Sequence, residues 1–250
     1  MTGLRSLGAC AAVAVAMSVT AARAATYSAA GNTLPASPFQ RFDAAHIGST
    51  FPLSPYFGQG FSPTPDHSVA GGVYSSGLSD SSKYTFWFDP SQTLNATTGI
   101  VEISTRLKVV SSTSTTDRAG VGIAMTDDDN NYTEIYLGTG EVFINGAGRL
   151  RSAAYTMNTT DDFHDYLVRV QGDDVSVYVD GVLRLSANSF DASTVSAPTL
   201  ANWAVLGDIT SSAAGAYEMQ SFAVAVPEPT GVALVAVAGM AVAPRRRRRR

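Results

Sequence analysis

Cysteine is all but missing: the 250 residues hold one, Cys10. It lies inside the first apolar run, where a discarded leader segment would carry it, so the remaining chain has no thiol for a disulfide, a zinc knuckle or a cysteine nucleophile. Leu7-Gly8-Ala9-Cys10 looks like a lipoprotein attachment box, but the apolar run continues past the cysteine instead of ending at it. Charge is also scarce, at 15% of residues. No stretch between Ala25 and Val226 sustains the i, i+3, i+4, i+7 spacing of an amphipathic helix, which argues against helical bundles and βαβ units. No repeat of 20 to 50 residues recurs, which argues against propellers and solenoids. The three histidines, His46, His67 and His164, stand outside any Gly-x-Ser-x-Gly elbow or His-Glu-x-x-His motif. Neither a phosphate loop nor a dinucleotide fingerprint is present.

The charge that does exist is unevenly placed. Arg5, Arg23 and the terminal Arg245, Arg246, Arg247, Arg248, Arg249 and Arg250 account for eight of the 17 basic residues. Between Ala25 and Val226 there are 20 acidic and 9 basic residues, an excess of 11 negative charges. A body so acidic repels nucleic acid and anionic lipid, so no nucleic-acid partner is expected.

The N-terminus reads as a secretory leader over residues 1–24. Arg5 supplies the positive start, Leu7 to Val19 the short apolar run, and Ala22-Arg23-Ala24 the small-residue close. Cleavage between Ala24 and Ala25 is expected. At the other end, Gly231 to Ala243 carries no charge and is followed by Pro244 and the six arginines. As a helix this run is roughly 20 Å long, short of the ~30 Å hydrocarbon core. The arginines resist translocation and hold the end in the cytoplasm. With the body already exported, residues 227–250 would tether it to the inner membrane for a time.

Val226-Pro227-Glu228-Pro229, the short Ala/Val/Gly run and the arginine cluster together resemble the PEP-CTERM sorting signal. That resemblance implies an exosortase-type membrane enzyme as partner, with Pro227, Glu228 and Pro229 as the sorting motif. It implies a Gram-negative source, a link to extracellular polysaccharide, and a final place at the cell surface or outside the cell.

Residues 25–226 read as one all-β domain. Val101, Ile103, Thr105, Leu107 and Val109 alternate with Glu102, Ser104, Arg106 and Lys108, the period-two split of a half-buried strand. Similar runs fall at 84–88, 121–125, 132–137, 141–145, 203–208 and 217–226. Over Phe163 to Ser186, Tyr166, Val168 and Val170 meet Val175, Val177 and Val179 across a Gly172-Asp173 turn, and Asp180-Gly181 marks a tight hairpin. About a dozen strands without crossover helices predict an antiparallel β-sandwich or jelly roll, flanked by the N-terminal signal helix and the C-terminal apolar sorting helix. Residues 25–67 form a less regular, Pro- and aromatic-rich lead-in whose rings (Phe39, Phe42, Tyr56 and others) predict packing onto the body.

The hairpin with its Gly172-Asp173 turn and Tyr178-x-Asp180-Gly181, and the run Asp127-Asp128-Asp129-Asn130-Asn131-Tyr132 before a strand, resemble concanavalin A-like (laminin G-like) jelly rolls over about residues 70–226. Some members of that family are glycoside hydrolases and others bind calcium. A hydrolase needs two carboxylates about 5 to 9 Å apart, as an acidic triplet on one strand face supplies. Glu102, Glu134, Glu141 and Glu218 each lack an acidic residue two positions away. Asp127 and Asp129 have that spacing, within a turn-forming cluster that bare turn chemistry explains; the alternative is a calcium site. No other cofactor is expected.

What remains is binding: Trp87, Asp127, Asp129, Asn131 and Tyr132 are the candidate sugar contacts, an aromatic face with hydroxyl-fixing polar groups. The expectation is an exported, non-catalytic module, not an enzyme, that binds glycan or extracellular polysaccharide. The alternatives are a structural envelope or biofilm-matrix protein with no specific ligand and, last, a glycoside hydrolase.

Overall fold

A computed structural model describes residues 23–36, 39–45, 67–77, 83–89, 93–97, 99–194, 202–210 and 212–226. Of the expected signal segment 1–24, residues 1–22 lie outside them, as does the whole sorting tail, including Pro227, Glu228, Pro229 and the terminal arginines; Arg23 and Ala24 fall in a strand. Among the described residues no helix is long and apolar enough to cross a membrane.

Sixteen strands and three short 3₁₀ turns make up the described chain. The strands are β1 (Arg23–Ser28), β2 (Gln40–Ala45), β3 (His67–Ala70), β4 (Val73–Ser76), β5 (Lys83–Asp89), β6 (Val101–Ser112), β7 (Val121–Thr126) and β8 (Asn131–Leu137). Then follow β9 (Glu141–Asn145), β10 (Arg151–Thr156), β11 (His164–Gln171), β12 (Asp174–Val179), β13 (Val182–Asn188), β14 (Phe190–Asp191), β15 (Trp203–Asp208) and β16 (Gly215–Val226). For β2 and β5 the backbone alone is described.

All pairings are antiparallel and form two eight-stranded sheets. The first runs β13-β12-β11-β6-β16-β4-β3, with β1 also on β16; the second runs β10-β9-β8-β7-β15-β5-β2, with β14 also on β8. The chain therefore crosses between sheets again and again, for example at β4–β5, β5–β6, β6–β7, β10–β11, β13–β14 and β15–β16, as in a jelly-roll-like sandwich.

The alternation read from the sequence sets this packing. In β6, Val101, Ile103, Leu107 and Val109 are fully buried, while Glu102, Ser104, Arg106 and Lys108 are half-buried on the outer face. Val168, Val170, Val175 and Val177 continue the same inner face across β11 and β12. They meet Val121, Ile123, Ile135, Val142, Ile144 and Leu206 of the second sheet in one apolar cluster. With no cysteine in this body, that burial carries the stability. Asp180 and Gly181 both have positive φ, 50° and 76°, as a two-residue hairpin requires.

Where it is described, the lead-in holds strands β1 and β2 rather than irregular chain. Tyr27 and Ala25 of β1 are 5% exposed, and the Phe39 ring lies 5.2 Å from Phe222.

Candidate active site

The two sheets differ on the sides that face away from the core. On the first sheet the outer residues are partly exposed and pair as surface ions: Arg106 with Asp165 at 3.0 Å, Lys108 with Glu218 at 2.6 Å. Such pairs contribute little. A shallow depression there is lined by Ser104, Arg106, Asp165, Arg169 and Tyr178, all of them exposed or half-buried.

In the second sheet, β7, β8, β9 and β15 are buried on both faces almost throughout. Ile123, Ile135 and Ile144 point into the main core, so their neighbours point away from it. On that outer face, register places Tyr132 opposite Thr126, Glu134 between Ala124 and Asn145, and Tyr136 between Gly122 and Phe143. The loops around Arg118 and Arg149 reach over it, and Ile209 packs on Ala119, Tyr136 and Phe143. A side chain at Gly122 would collide with Ile209.

Glu134 is the centre of this face. Its carboxylate is fully buried. Oε1 accepts from the Tyr132 hydroxyl at 2.8 Å and the Tyr136 hydroxyl at 3.2 Å. Oε2 accepts from Asn145 Nδ2 and Arg149 Nε, both at 3.1 Å. The second arm of the Arg149 guanidinium closes an ion pair on Oε1. Arg149 reaches this position from the 3₁₀ turn Ala147–Arg149, with φ of 58°, after Gly148 at φ 71°.

Two more arginines converge. Arg118 donates to the Asp117 and Arg149 carbonyls at 2.6 and 2.7 Å and lies over the Tyr136 ring. Arg151 lies 3.8 Å from the Phe143 centroid and binds Glu141 through both carboxylate oxygens. Asn145 also donates to the Asp117 carbonyl at 3.1 Å, whereas its own Oδ1 is buried without a hydrogen-bond partner.

The electrostatics follow. Burial alone would raise the Glu134 pKa, but the hydrogen bonds and charge of Arg149, with Arg118 and Tyr132 behind them, bring it below the ordinary value. Glu134 is therefore ionised at neutral pH. Burial, then the Glu134 charge, push Tyr132 and Tyr136 well above their usual value, so both hydroxyls stay protonated donors. Burial opposes the Arg149 charge, and Glu134 more than restores it. A carboxylate that accepts five hydrogen bonds is unsuited to protonating a leaving group. The face offers tyrosine hydroxyls, guanidinium cations and an amide instead.

The residues singled out from the sequence fall in three places. Trp87 sits on β5 opposite Leu206, with its side chain outside the described residues. Asp127, Asp129 and Asn131 come together in the loop between β7 and β8. Asp127 is fully buried; its Oδ1 accepts from the backbone N–H of Asp129 and Asn131 at 3.0 and 2.8 Å, its Oδ2 from Asn131 Nδ2 at 3.0 Å. Asp129 accepts from Thr97 Oγ1 at 2.6 Å. These oxygens face donors and close a turn against residues 94–97. Among the described residues no group of three or more His, Cys, Asp and Glu is arranged to hold a metal ion. Tyr132 alone belongs to the Glu134 face, edge-on to Phe190 and bonded to the carboxylate.

Asn145, Arg118 and Arg149 escaped sequence reasoning, and Glu134 entered it only as a carboxylate without an acidic partner. The available signal was Tyr132-x-Glu134-x-Tyr136, a carboxylate set between two tyrosines on one strand face. A search for paired carboxylates passes over it, because the partner is an arginine 15 residues later.

No family model and no curated protein matches this chain. Solved structures do match. A carbohydrate esterase from the Shiga toxin-encoding bacteriophage phi24B is 18% identical, covers 63% of this chain and 82% of its own, and has a TM-score of 0.45. Alginate lyase A1-II′, a member of polysaccharide lyase family 7, is 14% identical over 66% of this chain and 85% of its own, with a TM-score of 0.48. A prokaryotic β-1,3-1,4-glucanase (lichenase) from a mouse hindgut metagenome is 14% identical over 81% and 98%, with a TM-score of 0.46. At such identity and TM-score the likeness assigns this chain no residue of a site. All three are enzymes acting on carbohydrate, and the expectation of a non-catalytic module that is not an enzyme is corrected on that finding.

Proposed function

We propose that this chain is an exported carbohydrate-active enzyme on a concanavalin A-like jelly roll, and that the outer face of its second sheet around Glu134 is the site. One observation carries the reading: a buried carboxylate–guanidinium pair, with two tyrosines and an amide, on the side of the sheet where folding needs no polar group. A buried ion pair stabilises no better than apolar residues of the same volume, so it is weak support for a purely structural role. Clusters of this kind, with shifted pKa values, concentrate where chemistry is done. Three of the nine basic residues of an acidic body, Arg118, Arg149 and Arg151, gather there. Guanidinium groups recognise carboxylates, so the substrate is an acidic, uronate-bearing polysaccharide. Glu134 holds Arg149 and the tyrosines in place, Arg149 and Arg118 take the sugar carboxylate, and a tyrosine hydroxyl handles the proton. Double-carboxylate hydrolysis would need a second acid beside Glu134, and the nearest in the cluster, Glu141, is held by Arg151 and makes no bond to Glu134. Elimination next to the sugar carboxylate balances with the groups present: a tyrosine hydroxyl gives its proton to the departing glycosidic oxygen as that C–O bond breaks, and the same oxygen takes the ring proton beside the carboxylate as the C=C bond forms.

The reading includes the route outward: a leader cut between Ala24 and Ala25, a brief inner-membrane tether, and removal of the tail at Pro227-Glu228-Pro229 by an exosortase-type enzyme. Incubating residues 25–226 with acidic polysaccharides, neutral β-glucans and acetylated glycans tests the activity. Unsaturated ends from acidic chains are expected. Turnover of none of the three classes would end the proposal.

A further inference from the structure

Three guanidinium groups stand over aromatic rings on the outer face of the second sheet. Arg149 lies 5.9 Å from the Tyr132 centroid, Arg118 5.7 Å from that of Tyr136 and Arg151 3.8 Å from that of Phe143. The Tyr136 and Phe143 rings are stacked 5.4 Å apart, so Arg118 and Arg151 share one aromatic floor across β8 and β9. The backbone draws them together as well: the Arg151 N–H donates at 2.9 Å to the carboxylate of Asp117, the residue before Arg118.

The three cations differ in what they have already bonded. Arg149 is closed on Glu134 through both arms. Arg118 uses Nη1 alone, on two backbone carbonyls, and pairs with no carboxylate among the described residues. Arg151 also uses Nη1 alone, on both oxygens of Glu141, and its Nε is buried without a hydrogen-bond partner. Asp117, the third carboxylate here, is engaged by a backbone N–H. Arg118 and one edge of Arg151 are therefore left without an anion, although neighbouring cations repel and an unmet buried donor is costly. That edge, Nε with Nη2, is one of the sides from which a guanidinium grips a carboxylate by two parallel bonds. Arg118 is half-buried and the Arg151 side chain is 26% exposed, so both can be reached from outside.

We infer that Arg151 determines specificity: it takes the carboxylate of the sugar next to the one held by Arg118, so the substrate is a run of consecutive uronates. This rests on the enzymatic reading above. A uronate flanked by neutral sugars meets Arg149 and Arg118 and leaves Arg151 as it stands. Adjacent uronates bring an anion to each cation over the Tyr136–Phe143 floor. The polymer then crosses β8 and β9 toward β10, which lies at the sheet edge and has no buried residue to obstruct it. Glu141 holds the Arg151 guanidinium in place and competes with the substrate for it.

The test uses protein expressed from the full chain and follows the release of unsaturated ends. Polygalacturonate and polymannuronate carry a carboxylate on every sugar, hyaluronan on every second one. The ratio of kcat/KM on the homopolymers to that on hyaluronan should be high in the wild type and fall about tenfold in Arg151→Gln. Glu141→Gln frees the guanidinium from its competitor and should widen the ratio. A purely structural role for Arg151 would lower turnover of all three polymers alike, and both variants would act in one direction. A ratio untouched by Arg151→Gln, or a wild type as fast on hyaluronan as on the homopolymers, overturns the inference and leaves the enzymatic reading standing. Where Arg151→Gln does not fold by thermal melting, an unwidened ratio in Glu141→Gln overturns it instead. Release of no unsaturated ends from any of the three polymers would remove the enzymatic reading, and the inference with it.

Discussion

Replacing Arg149 with Met puts the Glu134 cluster to a demanding test, because the expected outcome runs against simple contact counting. Glu134 is fully buried and Arg149 is 19% exposed at its side chain, so the single change leaves an ionised carboxylate in the interior without its counter-charge. Removing one member of a buried pair costs about 3–5 kcal/mol. For a domain of this size each kcal/mol moves Tm by about 2–4 °C, so R149M should melt lower by about 6–20 °C. Adding Glu134→Gln removes the stranded charge and keeps an acceptor for the Tyr132 and Tyr136 hydroxyls. The double variant should therefore be more stable than R149M, recovering at least about 2 kcal/mol.

Urea denaturation of all four proteins closes the cycle, and pH supplies a second axis. In the wild type the Glu134 pKa is lowered by folding. Its contribution is present above the unfolded carboxyl value and is lost as pH falls through the folded one. In R149M burial is opposed only by Arg118 and the remaining hydrogen bonds, so the Glu134 pKa rises above its wild-type value and R149M gains stability relative to the wild type as pH falls. A double variant no more stable than R149M, or a gap between R149M and the wild type that does not change with pH, would refute this account of the cluster.

His164 makes the opposite pH prediction. Burial works against its charge, but hydrogen bonds to Asp180 at 2.8 Å and Asp161 at 3.1 Å raise its pKa overall. The stability it adds is present below the free-imidazole value and is lost as pH rises through the folded one. The gap between wild type and His164→Gln should narrow as pH rises above the free-imidazole value of about 6.5, read by thermal melting. Asp127→Ala strands the backbone N–H groups of Asp129 and Asn131 and should cost about 2 kcal/mol in urea titrations. Gly120→Ala would drive a Cβ into the Ala214 carbonyl and should cost about 3 kcal/mol, seen as loss of soluble protein or of melting cooperativity.

Much of the first sheet was legible because it obeys one rule. β6, β11 and β12 have one face in the core and one in water, so period two shows in the residue types. The Asp180-Gly181 hairpin was legible because positive φ demands those residues. The second sheet was harder to read. β7, β8, β9 and β15 are covered on both faces, so Tyr132, Glu134 and Tyr136 do not alternate with exposed residues, and only register shows them sharing a face with Asn145. Strand β10, Arg151 to Thr156, lies at the sheet edge and has no buried residue, a pattern without contrast. Glu134 was visible as a residue but not as a site. Its partner arrives from a loop whose path depends on positive φ at Gly148 and Arg149. β1 depends on β16 for its form, and no local pattern in so short an alanine-containing stretch announces a partner at the far end of the chain.

The most direct measurement is kcat/KM on an acidic polysaccharide for the wild type and for Arg118→Ala, each paired with a thermal melt. Arg118 lies over Tyr136 and bonds to carbonyls, so its loss spares the Glu134–Arg149 pair. The account predicts a fall in kcat/KM of about 10²-fold, with unsaturated products from the wild type and little change in Tm. Undiminished turnover by Arg118→Ala would place the chemistry elsewhere. A wild-type domain that turns over no carbohydrate would contradict the account altogether.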